Sequence, residues 1–257
     1  MLGDGGEAVV RIVICYPFLL TNDGDLTLLR VLLRKIPAYL PGAELVIFVW
    51  GPSGLLTGDA CAVELHTLDE PRLPRGLLVL ASRFLQALLF RLFNLLPADG
   101  VARAVALSDV AVVPARDMLA AGGVNRITGF FYALCWLALP GVMGKPTFVL
   151  ASDLRPGAGL LRLLLTPLLA LVLRRVDLFT ARDGISLKNL IEIGYPASRA
   201  RLAADLGFLL EPAGLDEALS TLEAEGIPLD RRPLVGLSIH PLIYRAGDPE
   251  GSPRPRG

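Results

Sequence analysis

Short runs of apolar, often β-branched residues alternate with longer segments of helical periodicity along most of this chain. Residues 9–16 form a near-continuous run that is typical of a strand buried on both faces, and leucines at helical spacing follow in residues 26–36. Parallel strands need crossover connections, which are usually helices, so this alternation predicts a parallel sheet that is covered on both sides. We therefore predict an α/β fold with a doubly wound, mostly parallel sheet.

The same alternation continues toward the C-terminus. Further strands are predicted at residues 43–50, 60–65, 110–113, 147–151 and 176–181, and further helices at residues 77–96, 128–139, 159–174 and 187–193. Pro97 and Gly100 are expected to end one of these helices, and Pro140 with Gly141 another, because proline and glycine interrupt helices.

Charge and cysteine content narrow the functional classes. Lysine plus arginine and aspartate plus glutamate each number 25, so the formal net charge is zero. This balance gives no electrostatic basis for neutralising nucleic-acid phosphates, and we predict no nucleic-acid partner. The three cysteines lie far apart, which indicates a reducing compartment with neither a disulfide framework nor a metal cluster. The acidic N-terminus lacks the features of a signal peptide, so we expect a cytoplasmic protein.

Three long apolar runs raise the question of a membrane. They are residues 77–96, 128–143 and 160–173. Arg83 and Arg91 interrupt the first, Arg162 and Pro167 interrupt the third, and the second is shorter than the roughly 20 residues that span a bilayer. We interpret the runs as helices buried against the sheet, with peripheral contact between the arginine-bearing runs and an anionic membrane surface as an additional expectation.

Polar residues follow two neighbouring predicted strands in the stretch 176–210. Arg182 and Asp183 come directly after one strand, Ser186 opens the next helix, and a second strand leads to Asp205. Ligands of open parallel sheets bind beyond the carboxyl ends of the strands, so we expect the functional site at this edge.

Each of these side chains has a structural and a functional interpretation. Arg182 is either an anion contact or part of a clasp with Asp183 or Asp205. Ser186 is favoured as a helix N-cap over a substrate contact. Asp25 either caps the helix after the first strand or takes part in the functional site. Asp205 either holds a loop or binds a ligand.

Several motifs in order resemble the polysaccharide pyruvyl transferase family. The resemblance rests on Arg182-Asp183 with Ser186, a leucine-rich helix that ends at Gly194, and Ala204-Asp205 before Phe208. It continues in Asn22-Asp23-Gly24-Asp25 before Leu28-Leu29, in Ser108-Asp109-Val110 and in Gly144-Lys145-Pro146. The similarity extends over residues 12–239.

The resemblance implies a fold and a reaction. The predicted sheet would be the N-terminal half of a two-domain architecture similar to that of GT-B glycosyltransferases, with substrates between the halves. The reaction would transfer a pyruvyl group from phosphoenolpyruvate to a sugar of a cell-surface polysaccharide or its lipid-linked precursor, where it forms a ketal. Phosphoenolpyruvate would be the donor substrate, no cofactor is expected, and no metal-ligating residue is predicted. Asp25 and His240 would be catalytic. Asp25 would contact the acceptor sugar or act as a base toward its hydroxyl, and His240 would be the general acid from the second half. Asp205 would bind sugar if it does not serve only to hold its loop.

Two segments depart from the family pattern. Residues 113–119 stand where the family has a glycine-rich loop, and residues 151–157 stand where it has a Gln-Ser-Ile-Gly-Pro type run. Arg116 and Arg155 are expected to supply charge where glycine amides are missing, and Ser152 is retained as a substrate contact.

The composition changes after residue 212. We predict an N-terminal domain at residues 1–212, a linker helix and first strand of a truncated second domain at 213–245, and a disordered tail at 246–257, whose glycine, proline and charged residues cannot pack. Two other functions stay open: a GT-B-type glycosyltransferase that uses a nucleotide-sugar, and a non-catalytic truncated paralogue or fragment.

Overall fold

The computed structural model describes residues 9–50, 63–68, 75–114, 119–120, 124–155, 159–227 and 235–236. The chain divides into two units, Met1–Leu210 and Glu211–Gly257. The predicted second-domain strand at 234–239 and the tail at 246–257 fall largely or wholly outside the described residues, so the truncated second domain stays a prediction.

Strands and helices alternate along the first unit as the sequence predicts. The strands are β1 (Arg11–Leu19), β2 (Glu44–Trp50), β3 (Val63–Thr67), β4 (Val110–Val113), β5 (Leu119–Ala120), β6 (Thr147–Ser152), β7 (Leu154–Arg155), β8 (Leu178–Ala181) and β9 (Ala200–Leu202). The helices are α1 (Asp23–Tyr39), α2 (Arg75–Phe93), α3 (Gly100–Ala106), α4 (Val124–Met143), α5 (Gly159–Leu173), α6 (Gly184–Glu192) and, in the second unit, α7 (Leu215–Ala224).

The main sheet is parallel. Its seven strands are ordered β3-β2-β1-β4-β6-β8-β9, and each neighbouring pair runs in the same direction. The short strands β5 and β7 form a separate parallel pair. Because the chain moves outward from β1 in one direction and from β4 in the other, the topological switch point lies between these two strands. The predicted doubly wound α/β fold is confirmed.

Alternating side chains of the strands build a core on each face of the sheet. Ile12 and Ile14 pack with Leu29 of α1 on one face. Val13 and Cys15 face the opposite side, where α2, α3, α4, α5 and α6 all contribute buried residues. Burial on both faces explains why the strands read as continuous apolar runs.

Three predictions about the helices are wrong in detail. The helix α3 is absent from the sequence prediction, which took Gly100 as a stop. Instead, the Asp99 side chain accepts a hydrogen bond from the N–H of Ala102 and begins a new helix. The helix α4 continues past Pro140 to Met143, because a proline in the last turn removes only one backbone N–H. The helix α1 begins at Asp23, three residues before the predicted start.

The predicted apolar runs form helices that pack on the sheet. Among the described residues, no helix combines the length and the hydrophobicity that crossing a bilayer requires.

Candidate functional site

Charged side chains gather at the carboxyl ends of three adjacent strands. Asp153 follows β6, Arg182 follows β8 and Asp205 lies three residues after β9. These strands are neighbours in the sheet, so their carboxyl ends meet at one edge. This is the edge at which parallel sheets bind ligands.

Arg182 connects all three strand ends. Its Nε and Nη2 atoms each lie 2.5 Å from a carboxylate oxygen of Asp153, which makes a bidentate ion pair. Its Nη1 donates to Oδ2 of Asp205 over 3.0 Å. The Asp153 side chain is only 5% exposed, whereas those of Arg182 and Asp205 are 30% and 31% exposed. The geometry matches the clasp interpretation of Arg182, with Asp153 as a partner that the sequence analysis did not propose.

Arg155 is the more exposed cation of this cluster. Its side chain is 54% exposed, and its Nη2 donates to Oδ2 of Asp183 over 3.2 Å. Its Nε lies 3.9 Å from Oδ2 of Asp153. Arg155 therefore presents its guanidinium to solvent beside the Arg182 clasp, so an incoming anion can reach it.

Asp183 caps α6, and the prediction that Ser186 is the N-cap is wrong. The Asp183 Oδ1 atom accepts a 2.6 Å hydrogen bond from the backbone N–H of Ser186, which is the third residue of the helix. This backbone hydrogen bond is the main reason why the pKa of the Asp183 carboxyl is lower than usual, and the hydrogen bond from Arg155 acts in the same direction.

The two candidate serines are buried. Ser186 Oγ accepts from the N–H of Leu154 over 3.1 Å, and the neighbouring Asn189 side chain donates to the Leu154 carbonyl over 2.9 Å. Together these bonds hold β7 against α6 and so position Asp153 and Arg155. Direct substrate contact by Ser186 does not fit this burial.

Ser152 is equally enclosed. Its hydroxyl lies 3.3 Å from the carbonyl oxygens of both Pro114 and Leu150, and the residue is buried. Ser152 thus links the ends of β4 and β6 and does not present its hydroxyl to a ligand.

Asp25 lies in the first turn of α1, at the same edge of the sheet. The interpretation of Asp25 as the cap of this helix is wrong, because the cap is Asn22, whose side chain accepts from the Asp25 N–H over 3.1 Å. The Asp25 Oδ2 atom accepts in turn from the N–H of Leu19 over 2.9 Å, which holds the turn after β1. Leu206, next to Asp205, packs against the same core cluster as Leu26 of α1. The turn after β1 and the Arg182 clasp therefore lie along one rim.

Two bulges distort strands at this edge. The register shifts between Ile14 and Phe18 in β1, where Tyr16 has a φ of 102°, and between Val149 and Ser152 in β6, where Ala151 has a φ of 45°. Positive φ is unfavourable for residues other than glycine, and such strain is concentrated at functional sites. Both distortions lie near the carboxyl edge of the sheet, where the charged side chains gather.

Two predicted site residues, Arg116 and His240, lie outside the described residues. Asp153 lies two residues after the predicted strand at 147–151, so the sequence marks it as a polar residue near a strand end, but its pairing with Arg182 depends on the order of the strands in the sheet. In residues 151–157, the departure from the family pattern predicts a role for Arg155 and none for Asp153.

A comparison with known protein families shows to which family the chain belongs. The family model for polysaccharide pyruvyl transferase matches residues 24–246. The chain belongs to the polysaccharide pyruvyl transferase family. A comparison with curated proteins returns no significant match. The matched region includes the Arg182 clasp, Arg155 and Asp25.

Proposed function

We propose that this pyruvyl-transferase-family protein moves a pyruvyl group from phosphoenolpyruvate to two hydroxyls of a sugar in a cell-surface polysaccharide or its lipid-linked precursor. The observation that carries the proposal is the family match over residues 24–246. The charged rim at the carboxyl edge supports it, because both substrates of such a reaction need polar and charged partners.

The proposed reaction sets the groups that a site must provide. The two sugar oxygens bond to C2 of the enolpyruvyl unit, C3 takes a proton and becomes a methyl group, and the bond from C2 to the phosphate oxygen breaks. The two hydroxyls lose two protons in all. One of these is accounted for by the proton that C3 gains, and the other leaves on the inorganic phosphate. The site therefore needs cations for a carboxylate and a phosphate, a base near the hydroxyls and an acid near C3.

Arg155 is the proposed donor contact. It is the most exposed guanidinium of the described cluster, and within the described residues it contacts Asp183 at 3.2 Å and Asp153 at 3.9 Å. Arg182 is placed between two carboxylates, so it acts as a positioning residue that keeps the ends of β6, β8 and β9 together. Asp205 contributes to the proposed site indirectly, through its bond to Arg182.

Asp25 is the proposed acceptor contact. A carboxylate repels the anionic donor but can accept a hydrogen bond from a sugar hydroxyl and take its proton. Its bond to the Leu19 N–H orients the side chain at the turn after β1. We propose Arg116 as a further contact to the donor and His240 as the general acid. We also propose that the protein acts at the cytoplasmic side of the membrane.

Isothermal titration calorimetry tests the donor. We expect the full chain to bind phosphoenolpyruvate saturably and uridine diphosphate not at all. Arg155→Ala should weaken phosphoenolpyruvate binding by about ten-fold, since a charge-assisted hydrogen bond contributes about 1.5–3 kcal/mol when buried and less at an exposed site. Arg30→Ala, an exposed arginine of α1, is the matched control and should leave binding unchanged.

The alternatives give different results in the same experiment. Saturable binding of uridine diphosphate without binding of phosphoenolpyruvate would replace the proposal with the glycosyltransferase alternative. Binding of neither compound, together with no turnover in the presence of acceptor, would favour the non-catalytic paralogue or fragment.

A further inference from the structure

Three neighbouring helices present large apolar side chains to solvent. The helix α4 contacts α2 on one side and α5 on the other, so the three form one helical layer on the sheet. Nine large apolar residues among the described side chains of this layer are between 39% and 72% exposed. They are Leu78, Val79, Leu85, Leu88, Leu92 and Phe93 of α2, Phe131 of α4, and Leu163 and Leu171 of α5. We call this surface the leucine face.

The helix α2 is apolar on two sides. Leu78, Leu85 and Leu92 are seven residues apart, and at 3.6 residues per turn they stay within about 40° of one another around the helix. Ala87 and Phe90 pack toward the core on the other side. A surface helix normally places polar residues opposite its buried stripe. This helix exposes leucines there, and contiguous exposed apolar surface marks an interaction site.

The charges of this layer are all of one sign. The sequences of α2, α4 and α5 contain no aspartate or glutamate, although the chain has 25 acidic residues. Exposed arginines stand at the C-terminal ends of the helices: Arg91 near the end of α2, and Arg174 and Arg175 directly after α5. Arg91 lies against Gly144, and Arg175 donates to the carbonyl of Gly141 over 3.2 Å. These contacts place Arg91 and Arg175 beside the C-terminal end of α4.

We propose that the leucine face docks on the surface of an anionic lipid bilayer. The exposed leucines would enter the boundary between headgroups and acyl chains, and Arg91, Arg174 and Arg175 would pair with lipid phosphates. A second copy of the same face is disfavoured as the occupant, because two such faces would bring arginines against arginines with no acidic residue on any of the three helices. The docking is peripheral, in agreement with the absence of a spanning helix in the described residues.

This inference does not depend on the proposed pyruvyl transfer. It uses the helical layer on the sheet and none of the residues at the carboxyl edge. The two proposals can therefore fail separately: vesicle binding tests this one, and calorimetry with phosphoenolpyruvate tests the other.

Vesicle co-sedimentation of the full chain is the direct test. We expect binding to phosphatidylcholine vesicles that contain phosphatidylglycerol, weak binding to phosphatidylcholine alone, and loss of binding at high salt. The double variant Leu85→Glu/Leu92→Glu should lower the partition coefficient more than about ten-fold, because it removes apolar side chains and adds negative charge at the interface. Arg174→Gln should lower it about five-fold.

The matched control places the same change on other exposed leucines. Leu202→Glu/Leu215→Glu alters residues that are 60% and 74% exposed outside the leucine face and should bind vesicles as the wild type does. Equal thermal unfolding midpoints establish that both double variants fold, and Arg174→Gln keeps the test valid if Leu85→Glu/Leu92→Glu does not fold.

Three results would overturn the proposal. The first is a wild type that binds neither kind of vesicle. The second is an equal loss of binding in the control variant. The third is a concentration-dependent dimer, seen by sedimentation without lipid, that Leu85→Glu/Leu92→Glu disperses, since this would make the leucine face a contact between copies of the chain.

Discussion

Replacing Asp153 with asparagine tests whether the Arg182 clasp stabilises the fold. The carboxylate is almost fully buried and accepts two 2.5 Å bonds from Arg182, whereas asparagine keeps one acceptor and turns an N–H group toward the guanidinium. Removing one partner of a buried ion pair costs about 3–5 kcal/mol. Arg182 is partly exposed and retains Asp205, so solvent screening reduces the expected loss to about 2 kcal/mol.

Urea unfolding at neutral pH measures this loss. Tryptophan fluorescence is a suitable signal, because both tryptophans, Trp50 and Trp136, lie in the unit that contains the clasp. With a slope of about 2 kcal/mol per molar urea, Asp153→Asn should lower the midpoint by about 1 M. Asp205→Asn is the matched control: the residue is more exposed, makes one bond to Arg182, and asparagine can still cap the following turn.

The control should lose less than about 1 kcal/mol. An unchanged midpoint for Asp153→Asn, or an equal shift for Asp205→Asn, would refute the reasoning that burial of the Asp153 carboxylate makes the clasp stabilising.

Three further predictions concern single side chains. Asp183→Ala should cost about 1 kcal/mol through loss of the α6 cap. The pKa of Asp183 is lower in the folded protein than in the unfolded chain, so the ionised carboxylate stabilises the fold above the unfolded pKa of about 3.9. This stabilisation is lost as the pH falls through the folded pKa, so the urea midpoints of the variant and the wild type should converge in acid. Ser186→Ala should cost about 1–3 kcal/mol in the same assay, because it leaves the buried N–H of Leu154 without its partner, and a loss below about 0.5 kcal/mol would contradict this. Burial raises the pKa of the Cys15 thiol to about 12, so peptide mapping after iodoacetamide treatment at pH 8 should find Cys15 modified more slowly than the half-buried Cys135; equal rates would be evidence against the packed position of β1.

Much of the fold follows from the sequence because both faces of the sheet are buried. Burial on two sides requires continuous apolar strands, and the intervening helices carry leucines at helical spacing, so the α/β alternation is visible without a structure. The helix α3 escaped prediction because its seven residues are too few to show a period, and because Gly100 lies inside the helix and not after it.

The candidate site was predictable in position but not in detail. Strand ends followed by Arg182 and Asp205 indicated the correct edge, since parallel strands bring their carboxyl ends together. The sequence could not show that Asp153, 29 residues from Arg182, is its closest partner, because this pairing depends on the order β6-β8 in the sheet. The burial of Ser152 and Ser186 likewise depends on the bulge at Ala151 and on the packing of β7 against α6.

Acceptor-dependent turnover is the most direct test of the proposed function. The full chain would be incubated with phosphoenolpyruvate and a polysaccharide or lipid-linked sugar fraction from the cell that makes it, and released phosphate and pyruvate ketal would be measured together. We predict phosphate release that requires the acceptor, equals the ketal formed and falls in Asp25→Asn. Phosphate release without ketal, or transfer of sugar from a nucleotide-sugar under the same conditions, would contradict the proposal.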